Sequence, residues 1–277
     1  MRLIYALVAI AWSATASAET TYIGSYLWAS DNPQFGGISA MSLSEDGMEL
    51  VAVSDRSFFV TGNITRADGI ITAVENAQIT RMSDTGTQGD SEGIAIAKNG
   101  AIFVSFEGVH GVRQFDGVDG TSTPLPTAEA FAGMQNNSSL EALAIGPDGA
   151  LYTIPERSGR ATRPFPIYRF KDGIWDQSFT IPRRGAFLVV GADIGPDGNL
   201  YILERDFTGF GFRSRVRRFD LSGQNEEPIL ETAPLIHDNL EGISVWDDGI
   251  GMRITMVSDD NFRLFQRTEI VEYRISD

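Results

Sequence analysis

The feature that most constrains the fold is a turn that recurs five times at nearly even spacing. The five turns are Glu45-Asp46-Gly47, Lys98-Asn99-Gly100, Pro147-Asp148-Gly149, Pro196-Asp197-Gly198 and Asp247-Asp248-Gly249. Their glycines are separated by 53, 49, 49 and 51 residues. Short apolar segments lie on both sides of each turn, and Asp-Gly or Asn-Gly between such segments predicts a β-hairpin because glycine accepts a positive φ.

A repeat of about 50 residues made of several short strands is typical of a β-propeller blade. In the first repeat, Ile38–Leu43 and Leu50–Ser54 are expected to form an inner hairpin. Ser57–Thr61 and Ile70–Ile79 would supply two outer strands. The sequence therefore predicts an all-β chain folded as one β-propeller of four-stranded antiparallel blades.

The number of blades follows from the residues outside the five turns. The stretches before the first turn and after the last add up to about one further interval, which favours five blades. The ring would close by pairing Thr21–Leu27 with Ile270–Ile275. Six blades are the alternative, if a degenerate blade lies in Thr121–Asn137 or in Ile64–Thr85.

The first 18 residues have the pattern of a cleaved secretory signal. Arg2 precedes the apolar run Leu3–Trp12, and Ala16-Ser17-Ala18 fits the small-residue cleavage site. We therefore expect a signal peptide at 1–18, a single propeller domain at 19–277, and a periplasmic or secreted product. The apolar run is too short to span a bilayer, so membrane insertion is not expected.

Composition excludes several classes of function. The chain has no cysteine, which rules out disulfides, cysteine–zinc sites and a cysteine nucleophile. Its formal net charge is −15, with 37 acidic and 22 basic residues, so nucleic-acid binding is not expected. An acidic chain of this kind suits a protein that holds divalent cations. We expect a monomer.

Paired glutamates are the first candidates for a site. A two-residue hairpin turn would place Glu92 opposite Glu107 and Glu141 opposite Glu156. A three-residue turn would offset the pairing by one residue and leave both acids at the same end of the hairpin. Like charges across a ladder are destabilising. Such a pair therefore calls for a compensating partner, either a bound cation or a nearby arginine.

Other charged residues recur at related positions. Glu241 matches Glu92 and Glu141, and Asp259 ends the strand after Glu241. An acid followed by arginine ends the second strand in three repeats, at Asp55-Arg56, Glu156-Arg157 and Glu204-Arg205. The first strand of a propeller blade lines the channel, so these side chains are expected to gather at one mouth. The predicted metal ligands are Glu92, Glu141, Glu241 and Asp259, and the predicted substrate contacts are Arg56, Arg157 and Arg205.

A purely structural interpretation of these charges stays open. An acid at a strand start can accept hydrogen bonds from backbone N–H groups of the adjacent blade, and an arginine beside it can bridge blades. Such bonds would recur simply because the blades are alike. His110 follows Glu107 by three residues and is either a general base near the mouth or an ordinary loop residue.

The repeated motifs resemble those of the phytase-like family, the domains with esterase-like activity of phytase. The resemblance covers most of the chain from about Tyr22 to Ile275. The matching segments are Phe35–Ser39, Ala52–Arg56, Asp90–Ile94, Phe103–Glu107, Ser139–Leu143, Leu151–Glu156, Leu203–Phe207, Asn239–Ile243 and Val257–Phe262. A looser similarity extends to gluconolactonase-like and strictosidine-synthase-like propellers, in which acids from several blades hold a cation at the channel mouth.

The resemblance implies a propeller that hydrolyses phosphoesters or related esters. The leading hypothesis is an exported hydrolase that uses a divalent metal, with calcium expected, on a small anionic ester or phosphoester. Glu107, Glu156 and His110 are the candidate bases for an attacking water. The rival hypothesis is a non-catalytic periplasmic propeller that binds a ligand or an envelope protein partner, because fold alone does not determine function.

Overall fold

The structure is a computed structural model that describes residues 19–85, 90–134 and 139–276. The predicted signal peptide at 1–18 lies outside the described residues. Over the described ranges, the chain forms five four-stranded antiparallel sheets and almost no helix. The predicted all-β propeller with five blades is confirmed.

Twenty strands and one short 3-10 helix make up the described chain. They are β1 (Glu19–Leu27), β2 (Ile38–Leu43), β3 (Glu49–Ser54), β4 (Phe58–Ala67), β5 (Ile70–Arg81), β6 (Ser91–Ile96), β7 (Ile102–Phe106), β8 (Gly111–Phe115), β9 (Ser122–Pro124), the 3-10 helix (Glu129–Gly133), β10 (Leu140–Ile145), β11 (Leu151–Pro155), β12 (Phe165–Lys171), β13 (Ile174–Ile181), β14 (Leu188–Ile194), β15 (Leu200–Phe207), β16 (Phe212–Phe219), β17 (Glu227–Glu231), β18 (Leu240–Asp247), β19 (Met252–Ser258) and β20 (Glu269–Ser276).

Four blades are continuous in sequence, and the fifth joins the two ends of the chain. Blades 1 to 4 are β2–β5, β6–β9, β10–β13 and β14–β17, and blade 5 has the order β18-β19-β20-β1. In blade 5, Thr21 pairs with Arg274 and Leu27 with Glu269, which is the predicted ring closure. The segments considered for a sixth blade instead hold β4, β5, β9 and the 3-10 helix.

In blades 2, 3 and 4 the repeated turns are three residues long, not two. In blade 2, the N–H of Ala97 donates to the carbonyl of Ala101 at 2.9 Å, and Gly100 closes the turn with φ of 86°. Gly146 and Ala150 make the same bond in blade 3 at 2.8 Å. The pairing along these hairpins is therefore offset by one residue from the two-residue case.

The hydrophobic core lies between the blades, not in a single centre. Five buried clusters are present, and each joins the apolar residues of two neighbouring blades. Between blades 1 and 2, for example, Phe59 meets Phe115 edge to face with ring centroids 5.2 Å apart. Every blade therefore depends on two neighbours for the burial of its apolar residues.

The five innermost strands approach one another closely around the axis. Each carries a small residue at the point of closest approach, and these are Ala40, Gly93, Ala142, Gly191 and Gly242. A Cβ on Gly191 would overlap the carbonyl oxygen of Glu241 in the next blade. The cavity on the axis at this level holds only about 10 Å³, which is at most one water molecule. Ligands can therefore reach the mouth above this level but not pass through it.

Among the described residues, no helix is long and apolar enough to cross a membrane.

Candidate metal centre at the channel mouth

A β-bulge near the start of the innermost strand recurs in all five blades. The ladder of each inner hairpin skips one residue, and the skipped residues are Ser39, Glu92, Glu141, Val190 and Glu241. A bulge leaves its extra residue unpaired and changes the direction of its side chain. The three repeated glutamates are therefore bulge residues, and they point to the mouth without a partner across the ladder.

The bulge corrects the predicted direct opposition of glutamates. The N–H of Glu107 donates to the carbonyl of Asp90 at 2.9 Å, and that of Glu156 donates to the carbonyl of Ser139 at 3.0 Å. Glu92 and Glu141 thus do not lie directly across from Glu107 and Glu156. Both acids of each hairpin still lie at the same end, as expected for a three-residue turn.

Three equivalent positions per blade surround the mouth. The bulge position is given above. The start position, two residues earlier, holds Gly37, Asp90, Ser139, Leu188 and Asn239, and the strand-end position holds Asp55, Glu107, Glu156, Arg205 and Asp259. We call Asp55, Asp90, Glu92, Glu107, Glu141, Glu156, Glu241 and Asp259 the mouth cluster.

Blade 4 differs from the predicted pattern. Leu188 pairs with Arg205, so Arg205 occupies the strand-end position that an acid holds in the other four blades. Glu204, which the sequence pattern equated with Asp55 and Glu156, is displaced by one residue and points away from the mouth. It is fully buried and accepts hydrogen bonds from Arg215 at 2.8 Å and Arg217 at 2.6 Å.

The closest group of carboxylates is in blade 2. Asp90, Glu92 and Glu107 each offer an oxygen, and these oxygens lie within 4.8 Å of one another. Asp90 is exposed, Glu92 is partly buried, and Glu107 is 6% exposed. This group opens from a buried floor towards solvent, as an accessible ion site must.

Burial and mutual repulsion raise the pKa values of several of these acids. Burial, followed by repulsion from Asp90 and Glu241, raises the pKa of Glu92 well above its usual range. Burial and repulsion from Glu92 do the same to the pKa of Glu141, which donates its proton in a hydrogen bond to Glu107. When two neighbouring carboxyl groups share a proton, their mutual repulsion is reduced without a nearby positive charge.

The same effect extends across the mouth to blades 1 and 5. Burial and repulsion from Asp90 raise the pKa of Asp55 to about 7. Burial and repulsion from Glu241 raise the pKa of Asp259 to about 8. Within the described structure, the buried Oδ1 of Asp55 has no hydrogen-bond partner. A buried carboxylate oxygen without a donor is the kind of atom that a cation would satisfy.

Arg205 supplies a cation within the ring of acids. Its guanidinium binds the carboxylate of Glu241, reaches the side-chain oxygen of Asn239, and lies 3.7 Å from Glu156 Oε1. Asn239 also donates to Glu241 at 2.8 Å. These contacts join blade 4 to blades 3 and 5. The predicted substrate contact Arg205 thus already binds protein carboxylates.

The other two predicted arginines lie at the edge of the mouth. Arg157 donates from Nε to Glu156 Oε2 at 3.0 Å. Arg56 is exposed, and its guanidinium stacks 3.3 Å from the ring centroid of Phe262, which belongs to blade 5. Both groups are held beside the cluster by contacts that fix their direction.

His110 lies in the loop between β7 and β8, at the mouth end of blade 2. Its backbone has a positive φ of 47°, which is unusual for a residue other than glycine. Its Nδ1 is buried and has no hydrogen-bond partner among the described residues. Within the described ranges, this ring makes no hydrogen bond or ion pair with a mouth carboxylate.

Some acids at the mouth also accept hydrogen bonds from backbone N–H groups of the adjacent blade, as the purely structural interpretation predicts. Glu107 Oε1 accepts the backbone N–H of Ser139 in blade 3 at 2.9 Å, and Asp260 Oδ1 accepts that of Gly37 in blade 1 at 2.9 Å. These two acids link neighbouring blades. Glu107 also accepts a hydrogen bond from Glu141, and Asp260 also accepts the N–H of Phe262 at 3.0 Å and the hydroxyl of Thr268 at 3.2 Å. A carboxylate has about four lone-pair sites, so a linking role and an ion-binding role are compatible.

Sequence reasoning omitted Asp55, Asp90 and Asp260 from the candidate ligands. A usable signal was present, because Asp90, Ser139 and Asn239 all precede a repeated glutamate by two residues. The start position was therefore visible as a polar position of the repeat. Only the backbone pairing shows that each start-position residue lies next to the strand-end residue of the same blade.

The mouth cluster fits a hard divalent cation. Calcium takes oxygen ligands at 2.3–2.6 Å, so two of its ligands lie up to about 5 Å apart. The 4.8 Å limit within Asp90, Glu92 and Glu107 satisfies that condition. The unsatisfied oxygen of Asp55 and the raised pKa values of Glu92 and Glu141 also indicate a site for a cation.

Fold and site together define a five-bladed β-propeller with an acidic mouth that is closed beneath. The family model for phytase-like proteins, described as esterase-like activity of phytase, matches residues 33–262. The chain therefore belongs to the phytase-like family. No curated protein matches the sequence significantly.

Several solved structures are similar to this chain at low sequence identity. The PQQ-bound aldose sugar dehydrogenase of Streptomyces coelicolor has a TM-score of 0.54 and 11% identity, covering 94% of this chain and 99% of that one. A gluconolactonase from Xanthomonas campestris has a TM-score of 0.49 and 14% identity, covering 85% and 71%. Virginiamycin B lyase from Staphylococcus aureus has a TM-score of 0.49 and 12% identity, covering 93% and 100%.

Proposed function

We propose that the protein is an exported, divalent-cation-dependent hydrolase of phosphoesters or related esters, and that its active site is the mouth cluster. The observation that carries this proposal is the gathering of acids from four blades around one end of the axis, where Arg205 binds Glu241 and Arg157 pairs with Glu156. Membership of a family named for esterase-like activity supports it. The sequence pattern of residues 1–18 supports export.

One group of these residues would bind the cation, and a second group on the reaction side, around Glu156, would act on the substrate. Asp90, Glu92 and Glu107 would hold a calcium ion, with Glu141, Glu241 and Asp259 around them. When bound, the cation would polarise the ester group and stabilise the negative charge that develops on its oxygens. The bound cation would also reduce the charge repulsion among these acids and so stabilise the folded protein.

Glu156 is the best-placed base on the reaction side. It is 7% exposed and lies between Arg157 at 3.0 Å and Arg205 at 3.7 Å. Two guanidinium groups keep its carboxylate oriented, and it can take a proton from an attacking water. Arg56 and Arg157 would contact the anionic substrate, since guanidinium groups match carboxylate and phosphate oxygens. His110 is an alternative base.

Purified protein comprising residues 19–277 tests the proposal. We expect turnover of 4-nitrophenyl phosphate, bis(4-nitrophenyl) phosphate or 4-nitrophenyl acetate with calcium, and none with EDTA. Glu156→Gln should lower kcat by about 10²–10⁴-fold and keep the calcium-induced rise in Tm. Glu92→Gln should lose both. Glu75→Gln, an exposed acid on β5, should behave as wild type.

The same experiment separates the hydrolase from the rival function. Absence of turnover in every arm, with the calcium effect on Tm intact, would favour a propeller that binds a ligand or an envelope protein. Absence of both effects would remove the mouth cluster as a cation site.

A further inference from the structure

A second cavity lies beside the mouth in blade 3, where the chain leaves β11. Its volume is about 280 Å³, near the lower end of the range for small-molecule sites. Its wall includes the side chains that could contact a ligand, which are Met134, Pro155, Arg157, Arg163, Pro166 and Tyr168. We call it the blade-3 cavity.

Two guanidinium groups make this cavity positive. Arg157 binds Glu156 of the mouth cluster through Nε at 3.0 Å, so it lies on the border between cavity and mouth. Arg163 belongs to the loop that follows β11 and is exposed. Within the described part of the chain it forms no ion pair. A cationic cavity in a chain with net charge −15 is a local exception that selects for anions.

The remaining walls are apolar and are held in place by packing. Tyr168 meets Phe131 edge to face at 5.2 Å, and Phe131 meets Trp175 at 5.2 Å. Trp175 donates from Nε1 to the carbonyl of Pro126 at 2.7 Å. Phe131 is only 1% exposed, so it fixes the 3-10 helix Glu129–Gly133 against blade 3. The cavity is therefore a preformed part of the blade.

Electrostatics separates the blade-3 cavity from the mouth. Acids of the mouth cluster repel an anionic group, whereas Arg157 and Arg163 attract it. A substrate with a second, non-reacting anion would therefore direct that anion to the cavity. Its reacting ester could then lie over the mouth beside Glu156, because Arg157 adjoins both regions.

We propose that the blade-3 cavity binds a carboxylate or phosphate group carried on a compact apolar or aromatic part of the substrate. Arg157 and Arg163 pair with the anionic oxygens, and Met134, Pro155 and Tyr168 contact the apolar part. This inference rests on the proposed hydrolase function. It narrows the substrates to esters that carry a second, non-reacting anionic group.

Calorimetric titration of benzoate and of phenyl phosphate in the presence of EDTA tests the cavity without turnover. Wild type should bind at least one of the two, and the difference between them identifies the preferred anion. Arg163→Gln should weaken that binding about tenfold or more, and Arg163→Lys should restore part of it. Arg169→Gln is the matched control, since Arg169 lies in β12 of the same blade, outside the cavity, and pairs with Asp176 at 2.8 Å.

Three results would overturn the inference. They are no binding of either anion to wild type, binding by Arg163→Gln equal to wild type, or an equal loss in Arg169→Gln. Melting curves of all variants check that the fold is intact. Binding without any ester turnover would contradict the hydrolase proposal alone. Turnover without anion binding would contradict the cavity alone.

Discussion

Two groups of carboxylates in this propeller face opposite conditions. In blades 4 and 5, buried acids are matched by arginines, as Glu204 is by Arg215 and Arg217, and Asp248 by Arg253 and Arg274. In the mouth cluster, acids face other acids, and Arg205 is the cation placed among them. The fold therefore supplies arginine partners to acids elsewhere, but it leaves most acids of the mouth cluster facing one another.

The pKa values reflect this difference. Burial alone would raise the pKa of Asp248, but hydrogen bonds from Arg274 and Arg253 hold it well below its usual range. At the mouth, burial and neighbouring acids raise the pKa of Asp259 to about 8. The comparison teaches that the mouth cluster is arranged at a cost to stability, which is typical of a functional site.

The largest expected effect comes from exchanging one acid in each group. Glu204→Gln should destabilise the protein by about 3–5 kcal/mol, because it breaks a buried ion pair and leaves arginines short of a partner. Glu141→Gln should leave the cation-free protein as stable as wild type, or more so, because the amide cannot ionise among the neighbouring acids and can still donate a hydrogen bond to Glu107. Urea unfolding with EDTA measures both. Equal losses would mean that the mouth acids are structural.

Calcium should act on the mouth cluster alone. At a hundredfold excess over its Kd, calcium should stabilise the folded protein by about 2.7 kcal/mol, and EDTA should remove the gain. Differential scanning calorimetry with and without the ion provides the measurement. The Glu204→Gln protein should retain the gain, whereas Glu107→Gln should lose most of it. A gain that survives in Glu107→Gln would place the ion elsewhere.

Arg205 tests the charge balance within the mouth. Arg205→Gln should destabilise the cation-free protein by about 1–3 kcal/mol, since Glu241 loses its buried partner. The same change should tighten calcium binding about tenfold, because one positive charge near the site is removed. Titration calorimetry measures the affinity, with Arg184→Gln as an exposed control. Weaker calcium binding by Arg205→Gln would contradict this account of the charges.

The last comparison is a pH dependence of opposite sign in the two groups. Asp55 and Asp259 have folded pKa values of about 7 and about 8, above the value of about 3.9 for an unfolded chain. The unfolded state therefore binds fewer protons, and the stability of the cation-free protein should fall as pH rises from about 4 to 8. For Asp248 the folded pKa is lowered, so its contribution is lost as pH falls below about 4.

Urea unfolding at several pH values checks these signs. Asp259→Asn should flatten the decline between pH 5 and 8, and calcium should flatten it as well. A wild-type stability that rises over that range without calcium would show that the mouth acids are compensated in some other way.

The architecture was predictable because its signals are local and repeated. Each Asp-Gly or Asn-Gly turn requires a positive φ that glycine adopts without strain, and five such turns at even spacing set the number of blades. The strand pairing of Thr21–Leu27 with Ile270–Ile275 followed from counting the residues left over. Position in the repeat likewise indicated Glu92, Glu141 and Glu241 as one set.

The arrangement of the site was less predictable because it depends on register. A three-residue turn and one bulge each shift the pairing by one residue and remove Glu92 from its place opposite Glu107. In blade 4 a shift of one residue puts Arg205, not Glu204, at the mouth. A shift of one residue reverses the face of a strand to which a side chain points. Local sequence patterns cannot settle a shift that small.

The sequence by itself thus determined a five-bladed ring, its closure by β1, and a set of repeated acids at one end of the inner hairpins. Only the tertiary structure decided which acids meet, which arginine joins them, and that the blade-3 cavity adjoins Glu156. The physical reason is that turns and strands depend on neighbouring residues, whereas the mouth is assembled from five blades whose contact is set by close packing around the axis.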